Sequence, residues 1–349
     1  VIEGSKSPVR VEPLKAVHFP MLSSSLQSDL LSWFQQALIN GWLAEAENLF
    51  PQILPSRQPI CLIAIEHERI IAYELLQPCN KRGSCWSISN PKLLNNPKGL
   101  TLRELNLKFF QTAIELQSNR AQSWIVRCPV LDKDLLGVTR ELGFQQLKLF
   151  SNWAPPNKQD IAVQSSQIYN NMKGFKWSPI TRATAPLLWS LEQASESAHL
   201  RQIIDRQWTD LLAQSTKENL VLLSNRESRE VAVAGVIKRS GSAPEKIFEI
   251  VRDLCWDSRL SSAIPIVLEK YLSTSTNLKF TVATEDKPLN DLLSELKWNL
   301  VGEELLMGRS VWRRQTSNNI KTGTSPLESM LGRLRPQQPP LPTPSLEPR

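Results

Sequence analysis

The chain has 349 residues, of which 41% are hydrophobic, enough for two domains of roughly 150 residues with ordinary cores. Charged residues make up 21%, which excludes a disordered composition for the chain as a whole, and apolar runs such as Ile60–Ile65 are far too short to cross a bilayer. The net charge of +7 does not indicate a nucleic-acid-reading body: from Arg313 onward six Lys and Arg stand against Glu328 and Glu347, so +4 of the +7 belongs to the tail.

Read in chain order, the pattern predicts a helical stretch over Ser24–Phe50, then a hairpin, Ile60–Ile65 turning through Glu66-His67-Glu68 into Arg69–Leu76. A third strand follows at Ser84–Ser89. A helix comes next, with apolar residues at Leu102, Leu105, Phe109, Phe110, Ala113 and Ile114. A strand at Trp124–Cys128, a short helix at Leu135–Leu142 and a strand at Gln145–Trp153 close this half. The same order then returns. It runs through a helical stretch at Ala185–Gln214, a hairpin of Leu220–Leu223 and Val231–Ile237, and a strand at Lys246–Val251. A helix through Ile264, Val267, Leu268, Tyr271 and Leu272, a strand at Leu278–Ala283, a short helix at Leu289–Leu296 and a strand at Asn299–Trp312 complete it.

Short identities agree with this repetition. Pro13-Leu14 and Pro20-Met21-Leu22 match Pro179-Ile180 and Pro186-Leu187-Leu188 at a shift of 166. Asp132-Lys133-Asp134-Leu135 and Glu141-Leu142-Gly143-Phe144 match Asp286-Lys287-Pro288-Leu289 and Glu295-Leu296-Lys297-Trp298 at a shift of 154. The expected organisation is a first unit over 1–153, a polar linker over 154–176, a second unit over 177–313 and a tail over 314–349. The stretch from Gln315 onward carries seven of the 24 prolines and reads as disordered or polyproline II.

A helical start, a three-strand antiparallel meander, a helix, a parallel strand, a short helix ending in Gly-Phe and a closing strand together resemble the GNAT (GCN5-related N-acetyltransferase) fold. The resemblance covers nearly all of Val11–Trp153 and Trp177–Arg313. It implies an α/β (α+β) chain with two tandem GNAT-like domains, each a mixed, mostly antiparallel sheet flanked by helices. It also implies acetyl-CoA or another acyl-CoA as co-substrate and an amine as acceptor. In that family a (Gln/Arg)-x-x-Gly-x-(Gly/Ala) loop before the central helix wraps the CoA diphosphate. Glycines turn backbone N–H groups toward the anion, and the helix start adds partial positive charge.

In the first copy the resemblance places this loop at Asn96-Pro97-Lys98-Gly99-Leu100-Thr101, with Arg103 in the first helical turn. Asn96 stands for the usual Gln or Arg, Gly99 for the first glycine and Thr101 for the second. Thr101-Leu102-Arg103-Glu104 also reads as a capping box, which sets Thr101 and Glu104 in competition with a ligand for the same donors. Asn96, Lys98, Gly99, Leu100, Thr101 and Arg103 are the candidate cofactor-binding residues. The second copy has Asp257-Ser258-Arg259-Leu260-Ser261-Ser262-Ala263 at the same place, without a glycine and with Pro265 just beyond, and reads as degenerate.

The Tyr that family members use to protonate the leaving thiolate is replaced by Thr139 in one copy and Leu293 in the other, neither with a usable pKa. Glu74, Glu249 and Asp253 are candidate bases, and Glu74 is the one retained as a catalytic candidate. The five cysteines form no C-x-x-C pair, His18, His67 and His199 are scattered, and no metal is expected. The opening Val1–Arg10 is polar, so a cytoplasmic protein without a membrane partner is expected. In the tail, Leu327, Met330, Leu331 and Leu334 fall at helical spacing, which makes 326–344 a candidate docking peptide for a protein partner. Two functions follow. One is an acyl-CoA-dependent N-acyltransferase, and the other is a catalytically inactive binding or assembly module acting through its surface and tail.

Overall fold

In the computed structural model the strands recur in the same order in the two halves, apart from a short strand at Lys92–Leu93 in the first, and so do the two helices that follow the meander in each. The structure describes residues 9–21, 35, 59–97, 99–117, 121–156, 174–213, 218–226, 229–239, 246–274 and 277–311. The helical stretch expected over 24–50 (apart from residue 35), Lys98, most of the linker and the whole Pro-rich tail lie outside the described residues. The first copy runs β1 (Arg10–Pro13), a 3-10 turn (Ala16–Met21), β2 (Ile60–Glu66), β3 (Arg69–Pro78), β4 (Cys85–Ile88) and β5 (Lys92–Leu93). It continues with α1 (Leu102–Leu116), β6 (Ser123–Pro129), α2 (Lys133–Glu141) and β7 (Gln145–Ala154). The second runs β8 (Phe175–Pro179), α3 (Ala185–Ser195), α4 (Ala198–Ile204), α5 (Trp208–Ala213), β9 (Leu220–Arg226), β10 (Arg229–Lys238) and β11 (Lys246–Arg252). It ends with α6 (Leu260–Thr274), β12 (Leu278–Ala283), α7 (Lys287–Glu295) and β13 (Asn299–Ser310).

Local chemistry sets the ends of these elements. The β2–β3 hairpin turns on His67 and Glu68, both left-handed at φ 48° and 60°, the two-residue turn whose twist suits the flanking strands. Asp132 and Asp286 cap α2 and α7 by accepting from the amides of Leu135 and Leu289. Each of these helices leaves through a left-handed residue, Gly143 at φ 81° and Lys297 at φ 59°. The single helical stretch expected over Ala185–Gln214 is three helices. Glu196 is extended, Ser197 starts α4 by capping Leu200, and Asp205 ends it at φ 49°. The apolar stripe from Leu200 to Leu212 is real, but these residues break its backbone into separate turns.

The sheet carries a feature that the order of elements did not announce. Its path is β1-β2-β3-β4-β6-β13-β7-β12-β11-β10-β9-β8, with β5 off the path against β3. Read from either end the order is the same if the copies are exchanged. Pairing is antiparallel except at β4–β6 and β11–β12. At the centre β13 lies between β6 and β7, and β7 lies between β13 and β12. Each copy's closing strand therefore completes the other copy's half of the sheet. Phe150 and Glu304, equivalent positions at the shift of 154, face each other and mark the pseudo-dyad.

The cores follow the same exchange. Leu305 and Met307 of β13 are buried with Trp86, Phe109, Phe110 and Trp124 of the first copy. Trp153 of β7 is buried with Phe248, Phe280 and Trp298 of the second, and its indole N–H donates to Asn290 Oδ1 at 2.9 Å. The boundary in sequence near 153–177 and the boundary in space therefore differ, because a closing strand needs ladder partners on both sides and finds one of them in the other copy.

Candidate functional site

The loop before α1 is where the resemblance places a diphosphate. Two of its amides, those of Gly99 and Thr101, are bonded to carboxylates of the chain. Gly99 N–H donates to Glu66 Oε1 at 3.0 Å, from the end of β2. Thr101 N–H donates to Glu104 Oε2 at 2.8 Å, and Thr101 Oγ1 accepts from the amide of Glu104 at 3.3 Å, so the capping box is formed. Arg103 reaches Glu141 at 2.6 Å rather than the loop. Asn96 is exposed and Leu100 packs against the core of the first copy. A Cβ at Gly99 would sit 3.2 Å from Glu66 Oε1, so the glycine gives this carboxylate its close approach. As arranged, these residues do not fit a diphosphate: two carboxylates hold the donors it needs and would repel it.

The second copy reaches the same state with other residues. Asp257 Oδ1 accepts from the amide of Arg259 at 3.0 Å, and the Arg259 guanidinium lies on the same carboxylate at 2.7 Å. Beyond the paired part of β11 and β12, Arg252 makes a two-pronged ion pair with Asp286 at 2.5 and 2.8 Å, with both side chains largely buried. That pair ties the end of β11 to the start of α7 across the splay of the two parallel strands. In the first copy the splay carries no such tie among the described residues. Ladder pairing of β4 with β6 stops at Ile88 and Val126. Ser89 then turns back to β3, exchanging hydrogen bonds with Leu75 at 2.9 Å.

The acid–base candidates are scattered by the fold. Thr139 is fully buried and its hydroxyl donates to Leu136 O at 3.0 Å, and Leu293 is core. Asp253 accepts from the amide of Cys255 at 3.2 Å in a loop. Glu74 is fully buried, neither carboxylate oxygen has a hydrogen-bond partner, and burial pushes its pKa well above the ordinary carboxylate range. It is sealed from any groove. Because the unfolded chain ionises this group before the folded one does, stability falls as pH rises from the ordinary carboxylate range toward the raised value. Glu74→Gln is therefore expected to flatten that part of the profile by about 1.4 kcal/mol per pH unit in urea melts. Parallel profiles for the two proteins would contradict this account of the buried acid.

The charged residues that do come together lie on the pseudo-dyad. A cavity of about 260 Å³ is bounded by the ends of β3 and β4, the central strands and the helices of the second copy. Arg127 of β6 pairs with Glu249 of β11 at 2.7 Å and stacks on Phe150 with its guanidinium 4.1 Å from the ring centre. Lys148 of β7 meets Glu196 at 2.8 Å. Arg239 bonds Thr281 at 3.0 Å and lies 3.4 Å from Glu304, and Arg206 pairs with Glu192. Burial and the neighbouring Arg127 pull Arg239 down to about 10. Burial pushes Glu192 and Glu196 up. It acts on Glu249 in the same sense, but Arg127 and Arg239 outweigh it and leave that carboxyl below the usual range. Of this cluster the sequence reading singled out only Glu249. A usable signal was present at one position: Arg127 interrupts the otherwise apolar run Trp124–Cys128, where an unpaired charge would be costly.

Among the described residues no helix is long and apolar enough to cross a membrane, and no group of His, Cys, Asp or Glu is placed to hold a metal ion. No family model matches the chain, and no curated protein matches it in sequence. Solved structures do. A Drosophila protein is 11% identical with a TM-score of 0.51, over 86% of this chain and 98% of its own. A tandem GNAT protein from the clavulanic acid biosynthesis pathway is 9% identical with a TM-score of 0.46, over 87% and 98%. A GCN5-related N-acetyltransferase from Sphaerobacter thermophilus is 10% identical with a TM-score of 0.47, over 86% and 95%. At such identities the likeness is one of fold. The order of elements and the two pairs of parallel strands are those that the sequence resemblance to the GNAT fold implied, and the likeness to the Drosophila protein is one of fold alone.

Proposed function

We infer that this chain is a ligand-binding protein built on the acyltransferase fold, working through the cavity between its two copies rather than through a CoA loop. The observation that carries the reading is the occupancy of the loop amides. Glu66 and Glu104 in one copy, and Asp257 in the other, accept from the N–H groups that would otherwise face a diphosphate. Evicting two carboxylates while bringing in a polyanion opposes binding twice, once by lost hydrogen bonds and once by repulsion. The replaced tyrosines and the sealed Glu74 point the same way.

The expected result is no saturable heat when acetyl-CoA or CoA is titrated to millimolar concentration into the full chain. Glu66→Gln, which removes the charge nearest Gly99, is expected to raise any residual affinity. Binding of acetyl-CoA at micromolar concentration by the unaltered chain would falsify the reading. A second reading, an N-acyltransferase in which the first copy uses acetyl-CoA to acylate an amine, is favoured by the untied splay beyond Ile88, where Ser89, Asn90 and Arg127 border the cavity. It calls for thiol release from acetyl-CoA in the presence of an amine. The same titration separates the two. A protein partner for 326–344 remains part of the binding reading, and deleting the tail tests it separately.

A further inference from the structure

We propose that Cys79 and Cys85 are an oxidisable pair, which hydrogen peroxide closes to a disulfide that clamps the turn through which the first copy holds the second. The inference goes beyond the binding reading above and does not depend on it. The two cysteines stand at the end of the β3–β4 ladder. Pro78 faces Trp86, and on the next rung the amide of Cys79 donates to Cys85 O at 2.8 Å. Opposed residues of a hydrogen-bonded rung have Cα atoms about 5.5 Å apart, inside the range of about 4.4–6.8 Å that a disulfide spans. Their side chains share one face of the sheet, and the Cys79 thiol is hydrogen-bonded to Cys85. Among the described residues no other rung pairs two cysteines: Cys61 faces Leu75, and Cys128 faces Leu305.

The turn between them grips the second copy. Asn80 Nδ2 donates to Ile204 O at 3.0 Å, the amide of Lys81 donates to Asp210 Oδ1 at 2.7 Å, and Arg82 pairs with Asp205 at 2.6 Å. Gly83 at φ 66° and two bonds between Asn80 and Ser84, at 2.8 and 3.1 Å, set its shape. Cys79 lines the cavity while Cys85 is fully buried, which fixes the order of reaction. The Cys79 thiolate attacks one peroxide oxygen, the O–O bond breaks, and hydroxide leaves with Cys79 as a sulfenic acid. Cys85 sulfur then attacks Cys79 sulfur: the S–S bond forms, the S–O bond breaks, and the departing hydroxide takes the Cys85 proton. Two thiols have given up two electrons and two protons, and one peroxide has become two waters. The bond to Cys85 and burial hold the Cys79 thiol above its ordinary range, so the first step is slow at neutral pH and quickens as thiolate appears.

Peroxide treatment of the full chain tests this, followed by unfolding in the presence of an alkylating agent, trypsin digestion and mass spectrometry. Cys255→Ser serves as the parent, because it removes the exposed thiol through which chains would couple to one another. Trypsin cuts after Lys81 and Arg82, so the disulfide is read as peptides 70–81 and 83–92 held together until reductant is added. That linked pair is expected to form, with Cys61 and Cys128 recovered alkylated. Its rate is expected to rise about tenfold per pH unit below the pKa of Cys79, where thiolate grows in that proportion. The oxidised chain is expected to melt higher than the reduced one, a rise that reductant removes and that Cys79→Ser and Cys85→Ser each lose. The proposal is overturned if the linked peptides do not form, if Cys61 or Cys128 is cross-linked as readily, or if oxidation leaves melting unchanged or lowers it. Titration with acetyl-CoA probes a different place, so failure here leaves the reading of the loops standing.

Discussion

Cutting the polypeptide within residues 157–173 is expected to leave a folded protein of two fragments that do not separate without denaturant. Residues 1–156 produced alone are expected to lack a cooperative monomeric fold. The reason is the exchange of closing strands. Without β13, β6 and β7 lose the strand that lies between them, and with it the ladder from Asn299 to Ser310. Leu305, Leu306 and Met307 would also leave cores in which each is nearly inaccessible. Emptying three such positions costs about 2–5 kcal/mol each, as much as the 5–15 kcal/mol that holds a whole domain together. Size-exclusion chromatography of the nicked protein, beside melting of the isolated half, reads the result. Fragments that part in plain buffer, or a first half that melts cooperatively as a monomer, would show that the exchanged strands contribute little. A dimer of first halves would be consistent with exchange between chains, since β7 could take the place of β13.

The second large effect belongs to Arg127. Removing it by Arg127→Ala leaves Glu249, whose side chain is 21% exposed, without its nearest cation and uncovers Phe150, so a loss of about 3 kcal/mol, the low end for breaking a buried pair, is expected in urea unfolding. Replacing both partners, as Arg127→Leu with Glu249→Leu, is expected to cost much less, because two desolvated charges leave together. The pH dependence gives a second readout. In the unaltered chain Glu249 is held below the usual carboxylate range, so its contribution is present at neutral pH and is lost as pH falls through the folded value. In Arg127→Ala burial acts with one cation fewer, and acidification should weaken the protein less steeply or strengthen it. A single substitution no more harmful than the double one would remove the electrostatic account of this cluster.

The parts of the candidate site written in adjacent residues were open to reading before any coordinates. The capping box at Thr101 and Glu104 needs only one helical turn, so its residues, spacing and consequence for the loop could be stated together. The competing charge at Gly99 could not be fully assigned, because the closest carboxylate is Glu66, brought there by a strand that ends 33 residues earlier. Glu74 shows the same limit from the other side. A Glu at an alternating position of an apolar strand fits a solvated face as well as a buried one, and only the packing above the sheet decides between them.

Local periodicity, turn chemistry and the twofold recurrence of one order of elements were determined by the amino-acid sequence, because each depends on neighbours within a few turns of chain or on comparison of the chain with itself. The identity of each strand's neighbours was not. β7 and β13 have patterns that suit either half of the sheet, and the choice is made by how two large cores close against each other. Both the exchanged strands and the charged cavity beside Phe150 are products of that choice, since ladder pairing and buried ion pairs join residues that lie as far apart as Arg127 and Glu249 along the chain.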